Sequence, residues 1–114
     1  MIAVIFEVVP HEAHKAKYLD LAGLLGPLLQ SVDGFISIER FTSLSTPGKI
    51  LSLSYWRDEE SVTAWRNSEE HRAAQSDGRR CIFETYRLRV ALVLRDYGHS
   101  ERDQAPRDSR TYFG

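Results

Sequence analysis

The chain has 114 residues, of which 42% are hydrophobic and 27% are charged, and its formal net charge is −1. This length and composition are typical of one globular domain, and the near-neutral charge excludes a general electrostatic attraction to nucleic acid or to anionic lipid. Cys81 is the only cysteine, which excludes an internal disulfide and a cysteine-rich zinc site.

The N-terminal segment predicts a central β-strand. Residues 2–9, IAVIFEVV, are apolar on both faces apart from Glu7, and Pro10 ends the run, as in a strand that is covered on both sides. The segment lacks the basic residues that open a signal peptide, and no apolar run in the chain approaches the roughly 18 residues of a membrane span. We therefore expect a soluble cytoplasmic protein without a membrane partner.

The next segment predicts a helix that is interrupted. Residues 11–32 have helical composition, and apolar or small positions such as Leu19 and Gly23 recur at helical spacing. Proline lacks an N–H, and its ring clashes with the preceding turn of a helix. We therefore expect a break near Pro27 and a short second helix that continues to about Val32.

A β-hairpin follows. Residues 35–44, FISIERFTSL, and residues 49–56, KILSLSYW, are rich in strand-forming residues, and the Thr-Pro-Gly of residues 46–48 turns the chain between them. We expect the two segments to pair as antiparallel strands.

The second half of the domain predicts two short helices and a long strand. Asp58 is a good N-cap for a helix that ends near Arg66, and Ser68 is a good N-cap for a second helix that ends near Gly78. Residues 83–97, FETYRLRVALVLRDY, alternate between two faces and predict the last strand.

The order of elements is therefore β-α-β-β-α-β. This order is typical of the α+β ferredoxin-like fold, in which helices cover one face of an antiparallel sheet. We assign residues 1–97 to this domain. Residues 98–114 form a polar C-terminal tail without periodicity that ends in Thr-Tyr-Phe-Gly, and we expect the tail to dock on a partner subunit.

The uncovered face of the sheet predicts a homodimer. Ala91, Val93 and one face of the first strand are apolar, and leaving them open would expose a large apolar patch. Two sheets that face each other would bury this patch. Arg87, Arg89 and Glu39 are then expected to form ion pairs inside the interface or at its rim.

Two residues six positions apart, Trp65 and His71, are the first candidates for chemistry. Trp65 suits either a core position under the sheet or the wall of a ligand pocket. His71 suits either a surface or capping position or a general base that acts near neutral pH. The sequence alone leaves both alternatives open.

Several common sites are disfavoured. The His11-Glu12-Ala13-His14 run has its histidines three residues apart rather than four and lacks an evident third ligand, so we expect no metal. Neither a glycine-rich phosphate loop nor the aromatic pattern of an RNA-binding strand is present, so we expect no nucleic-acid partner. Cys81 lies beside two arginines, and we interpret it as an inert buried thiol.

Residues 34–79 carry a resemblance to the antibiotic biosynthesis monooxygenase (ABM) family that extends over about residues 2–97. The matching positions lie at the start of the second strand, at the end of the third strand, and within residues 58–75. The last segment includes the Asp58 cap and the helix predicted to begin at Ser68. They are Gly34, Phe35, Leu53, Ser54, Trp56, Asp58, Trp65, Ser68, Glu70, His71, Arg72 and Gln75.

The resemblance implies a dimeric α+β barrel and, as the activity of known members, oxidation of aromatic polyketides by O₂ without metal, flavin or haem. It carries the role of a pocket residue over to Trp65. From this sequence we add His71 as the base and Arg40 as the group that stabilises an anionic oxygen. Trp56, Tyr86 and Phe6 are further candidates for binding a small aromatic substrate.

Two alternatives remain within the resemblance. A related branch degrades haem with an asparagine on the first strand, the helix tryptophan and a histidine eleven residues after it. Here the first strand has no asparagine and the eleventh position is Ser76, so haem is disfavoured as a cofactor. The other alternative is a non-enzymatic dimer of the same fold that binds a small ligand.

Overall fold

A computed structural model describes residues 1–68, 71–73 and 83–113. The elements in chain order are β1 (Ile2–Pro10), a 3₁₀ turn (Glu12–His14), α1 (Lys15–Leu29), β2 (Phe35–Thr42), β3 (Ile50–Trp56), α2 (Glu59–Arg66), β4 (Phe83–Leu92) and α3 (Arg107–Phe113). Among these residues, no helix is both long enough and apolar enough to cross a membrane.

The four strands form one antiparallel sheet in the order β2-β3-β1-β4. The apolar β1 occupies a central position and pairs with β3 on one side and with β4 on the other. The helices α1 and α2 pack on the side of the sheet that carries Val8, Ile50 and Trp56. The predicted ferredoxin-like order is confirmed.

Two hydrophobic clusters hold the helices on the sheet. At one end Tyr18 of α1 packs against Val8 and Ile50. At the other end Leu29 of α1 and Val62 of α2 pack against Trp56 and Phe35, whose rings meet edge to face at 5.2 Å. The helices are therefore fixed at two separate points along the sheet.

The predicted break at Pro27 is wrong. α1 runs without interruption from Lys15 to Leu29 and contains Pro27. Pro27 lies in the last turn, where it removes only one backbone hydrogen bond. Leu29, two residues later, is buried against Trp56 and Val62, and this packing keeps the last turn helical. The predicted second helix to Val32 is replaced by turns.

The last strand is shorter than predicted. β4 ends at Leu92, which lies opposite Ile2, the first residue of β1. The next residue, Val93, donates a backbone hydrogen bond to Met1 O at 3.0 Å. No strand among the described residues pairs with residues 93–97, and the alternation of residues in the sequence could not reveal this. The short helix α3 in the tail was not predicted either.

The structure describes the start of the helix that was predicted to follow α2, but not the rest of it. Ser68 Oγ accepts a hydrogen bond from His71 N at 3.3 Å, as expected of an N-cap, and residues 71–73 are helical. The rest of this predicted helix and Cys81 lie outside the described residues.

The opposite face of the sheet carries apolar side chains around one group of charges. Ile5, Leu53 and Tyr55 are half-buried there. Glu7 accepts a hydrogen bond from Arg89 at 3.1 Å and lies 3.8 Å from Lys49. The hydrogen bond from Arg89 is the main cause that lowers the pKa of the Glu7 carboxyl group, and the positive charge of Lys49 acts in the same direction. Within the chain, Arg89 therefore pairs with Glu7 and not with Glu39.

Candidate functional site

A cavity of about 660 Å³ lies between the sheet and the two helices. Its walls include members of both hydrophobic clusters, so it occupies the space between the two points where the helices are fixed. All six residues that the sequence predicted as site residues line this one cavity, although their roles remain predictions. They are Phe6, Arg40, Trp56, Trp65, His71 and Tyr86.

The start of α2 is held by a network of charged and polar groups. Arg57 donates two hydrogen bonds to Asp33, at 3.0 and 3.1 Å, and one to Asp58 at 2.8 Å. Asp58 accepts in turn from Ser61 N at 2.8 Å and from Ser61 Oγ at 2.7 Å, which confirms the predicted N-cap. Arg57 lowers the pKa of both carboxyl groups. The network fixes where α2 begins and therefore where its cavity-facing residues lie.

His71 folds back onto Trp65. α2 ends at Arg66 and the chain turns, so the six-residue interval is not a helical spacing, and the two ring centroids lie 5.1 Å apart. His71 is half-buried. Its Nδ1 lies 3.4 Å from Arg66 O, and because a carbonyl oxygen only accepts, this contact favours the tautomer with the proton on Nδ1.

The pKa of His71 is lowered. Burial is the main cause, and the positive charges of Arg72 and Arg66 act in the same direction, while the contact with Arg66 O opposes them. The imidazole is therefore neutral at neutral pH. With its proton on Nδ1, the lone pair of Nε2 is available to accept a proton.

Trp56 has mainly a packing role. It is 2% exposed, belongs to a hydrophobic cluster and donates its indole N–H to Ser54 Oγ at 2.9 Å. The N–H group is thus already satisfied within the chain, and Trp56 contributes only its ring surface to the cavity.

Arg40 lies on the sheet side of the same cavity, directly opposite Ser52 in the β2–β3 register. Its Nε atom is buried and has no hydrogen-bond partner among the described residues. A buried guanidinium N–H is costly to leave unsatisfied. The site therefore offers a donor to a bound oxygen atom.

Four aromatic rings form one wall of the cavity. Phe83 lies 5.6 Å from Phe6, 5.8 Å from Tyr18 and 5.8 Å from Tyr86, measured between ring centroids. Sequence reasoning found Phe6 and Tyr86 but missed Phe83 and Tyr18. Simple alternation assigns Phe83 to the opposite face from Tyr86, whereas a register shift at Val9/Pro10 brings the two to the same face.

Ser52, Ser54, Arg66 and Arg72 also line the cavity and were not predicted as site residues. The two serines left a signal in the sequence, because they share the helix-facing side of β3 with Ile50 and Trp56, where apolar residues are expected. In the described ranges, no group of three or more His, Cys, Asp or Glu residues is arranged to hold a metal ion.

Comparison with known proteins identifies relatives over most of the chain. The model of the family described as "Antibiotic biosynthesis monooxygenase" matches residues 1–77. The chain is 50% identical over 93 residues to "Jasmonate monooxygenase ABM" of Pyricularia oryzae, a match that covers 82% of this chain and 43% of that protein. The chain thus spans less than half of that relative's length.

Two further matches agree with this result. The chain is 33% identical over 93 residues to the uncharacterised protein YqjZ of Bacillus subtilis, covering 82% of this chain and 79% of that one. A crystal structure of a candidate antibiotic biosynthesis monooxygenase from Deinococcus radiodurans superposes with a TM-score of 0.77 at 13% identity, covering 86% of this chain and 97% of that one. The latter likeness supports the fold.

The contact between Trp65 and His71 predicts a measurable pKa effect. Replacing Trp65 with Ala should expose the imidazole to water and raise the pKa of His71 toward the ordinary value of about 6.5. Trp65→Phe keeps a ring in place and should leave the pKa low. An NMR titration of the His71 ring protons in the two variants checks this, and equal pKa values in both would contradict it.

Proposed function

Because the chain belongs to the antibiotic biosynthesis monooxygenase family, we propose that it oxidises a small aromatic, polyketide-like molecule with O₂ and without a metal, flavin or haem. The observation that carries this proposal is the position of His71, neutral and half-buried against Trp65 inside an apolar cavity. A neutral imidazole in such a place can take a proton from a bound substrate.

The reaction proposed is the oxidation of an activated CH₂ group, as in an anthrone. His71 Nε2 accepts a proton from this carbon, and Arg40 stabilises the negative charge that develops on the conjugated oxygen. The resulting carbanion is electron-rich enough to transfer one electron to O₂. Recombination of the carbon radical with superoxide forms a C–O bond, the peroxide anion takes the proton back from His71, and the hydroperoxide loses water to leave a carbonyl group.

The reaction converts one CH₂ group and one O₂ molecule to one carbonyl group and one water molecule. The substrate supplies all the electrons, so no external reductant is needed. The protein contributes a proton acceptor, an oxyanion partner, orientation and the exclusion of water.

The 50% identical relative supports a second candidate substrate. This relative is named a jasmonate monooxygenase, so a jasmonate-like cyclic ketone belongs in any substrate panel. Hydroxylation of an unactivated C–H bond by O₂ consumes two electrons and two protons when the second oxygen atom becomes water. Jasmonate must therefore be tested both with and without an added reductant such as NADPH.

An oxygen-consumption assay with anthrone and hydroxynaphthalene compounds tests the main proposal. Purified protein treated with chelator and free of flavin should form quinone under air and none under nitrogen. His71→Ala should reduce kcat/KM by about 100-fold or more, the usual scale for loss of a general base. His11→Ala, at an exposed histidine between β1 and the 3₁₀ turn, is the matched control and should behave as wild type.

The pH profile of the same assay has a definite sign. The active form of the base is deprotonated, and the folded pKa of His71 lies below its ordinary value. The rate should rise with pH through an ionisation below about 6.5 and stay level through neutral pH. Activity that is unaffected by His71→Ala would contradict the proposal.

Two other outcomes would point to the alternatives. A Soret band on addition of hemin, with haem breakdown under reductant, would favour the haem-degrading branch. Binding of the aromatic compounds without oxygen consumption would favour a non-enzymatic ligand-binding protein.

We also propose that the protein is a homodimer. Its subunits pair through the face of the sheet that carries Ile5, Leu53 and Tyr55, here called the open face, and the tail reaches the partner subunit. The Cα radius of gyration is 16.5 Å, whereas a compact chain of this length has about 13 Å, so the single chain is extended. Leu53 lies on the open face, and Leu24 is 70% exposed on α1.

Light scattering should give a mass of about twice the 13.1 kDa of the chain. Leu53→Asp should shift the protein to monomer, since it places a charge in the interface, and Leu24→Asp is the matched control that should remain dimeric. Truncation after residue 97 should weaken the dimer. A monomeric wild type would refute this assembly.

A further inference from the structure

The charge on the cavity wall is one-sided. Three arginines, Arg40, Arg66 and Arg72, line the cavity, and none of the described lining residues is Asp or Glu. The chain as a whole has 16 acidic and 15 basic residues, so this imbalance is local. A cavity with positive charge and apolar walls favours an anionic ligand with an apolar body.

Arg40 is the arginine that lies on the sheet. It extends from β2 toward the cavity, and it makes no hydrogen bond or ion pair with any residue that the structure describes. Its guanidinium is always charged and presents donors in a planar fork. An oxygen anion in the cavity would supply the acceptors that the chain does not.

Two serine hydroxyls lie on the same strand face beside Arg40. Ser52 is its cross-strand partner, and Ser54 is the next residue on that face of β3; they are 8% and 6% exposed. Ser54 Oγ already accepts a hydrogen bond from Trp56, so its own proton remains available to donate. Ser52 Oγ has no hydrogen bond to a described residue.

We propose that Arg40, Ser52 and Ser54 form a carboxylate-binding subsite, and that the substrate is a small apolar monocarboxylic acid. A carboxylate matches the guanidinium fork in a bidentate manner, and its remaining lone pairs accept from the two hydroxyls. The single positive charge at this point matches a single negative charge. This inference rests on the proposed function, because it names the substrate class of the same cavity, and for such an acid it assigns Arg40 to the carboxylate rather than to the conjugated oxygen.

The sheet register sets the direction of the bound acid. Arg40, Ser52, Phe6 and Leu88 lie in one row across β2, β3, β1 and β4. Neighbouring strands are about 4.8 Å apart, so this row spans about 14 Å. An acid anchored at Arg40 therefore extends its carbon skeleton toward the aromatic wall at Phe6 and Tyr86.

A pair of matched probes tests the subsite without turnover. Naphthaleneacetic acid and its neutral primary amide have the same ring system and nearly the same shape. Isothermal titration calorimetry under nitrogen should give a Kd for the acid about 10-fold lower than that for the amide. Arg40→Gln should abolish this preference, because it should weaken binding of the acid more than binding of the amide.

Further variants separate the subsite from general electrostatic attraction. Arg40→Lys keeps the charge but lacks the fork, so it should retain part of the preference. Ser52→Ala and Ser54→Ala should each weaken binding of the acid a few-fold. Arg95→Gln, at an exposed arginine outside the cavity, should have no effect, and circular dichroism checks that each variant is folded.

Two results would overturn the subsite: equal affinity of the wild type for acid and amide, or an acid preference that survives in Arg40→Gln. The proposed function fails differently. If the acid binds through Arg40 but no compound in the panel consumes oxygen, the subsite stands and the monooxygenase proposal does not.

Discussion

The cavity exists because β3 places two serines between Ile50 and Trp56 on the side of the sheet that faces the helices. Ile50 belongs to one hydrophobic cluster and Trp56 to the other, and the helices are fixed to the sheet at these two points. Between them the small side chains of Ser52 and Ser54 leave space that a leucine or valine would fill. The hydrogen bond from Trp56 to Ser54 satisfies a buried indole N–H at the edge of this space.

The same positive charges affect both the ligand and the base. Arg66 and Arg72 help to lower the pKa of His71, which keeps its imidazole neutral before substrate binds. An anion bound among the arginines would offset this effect and raise the affinity of His71 for a proton. Binding of an anionic substrate and its deprotonation by His71 are therefore compatible within one cavity.

Much of the fold could be predicted from local patterns in the sequence. The apolar β1, the hairpin and the Asp58 cap each left a distinct signal, and the order of elements followed from them. Pro27 was misinterpreted because its effect depends on the burial of Leu29, which is a tertiary contact. The end of β4 depends on where its partner strand begins, and a single strand's sequence does not contain that information.

The site was predictable to a smaller extent. Arg40, Trp65 and His71 were singled out by residue type and by resemblance, and the structure brings them to one cavity. Phe83 was hidden by a register shift between β1 and β4. Ser52 and Ser54 are small residues whose importance appears only when the space above them is known, although their place on an apolar strand face was visible in the sequence.

In the proposed reaction, one oxygen atom is transferred from O₂ to an organic substrate in this cavity without a cofactor. The most direct measurement is mass spectrometry of the product formed from an anthrone under ¹⁸O₂ by protein stripped of metal, flavin and haem. The expected product is a quinone that contains one ¹⁸O atom. A quinone without ¹⁸O, or labelling that appears only after a flavin or haem is added, would contradict the proposed reaction.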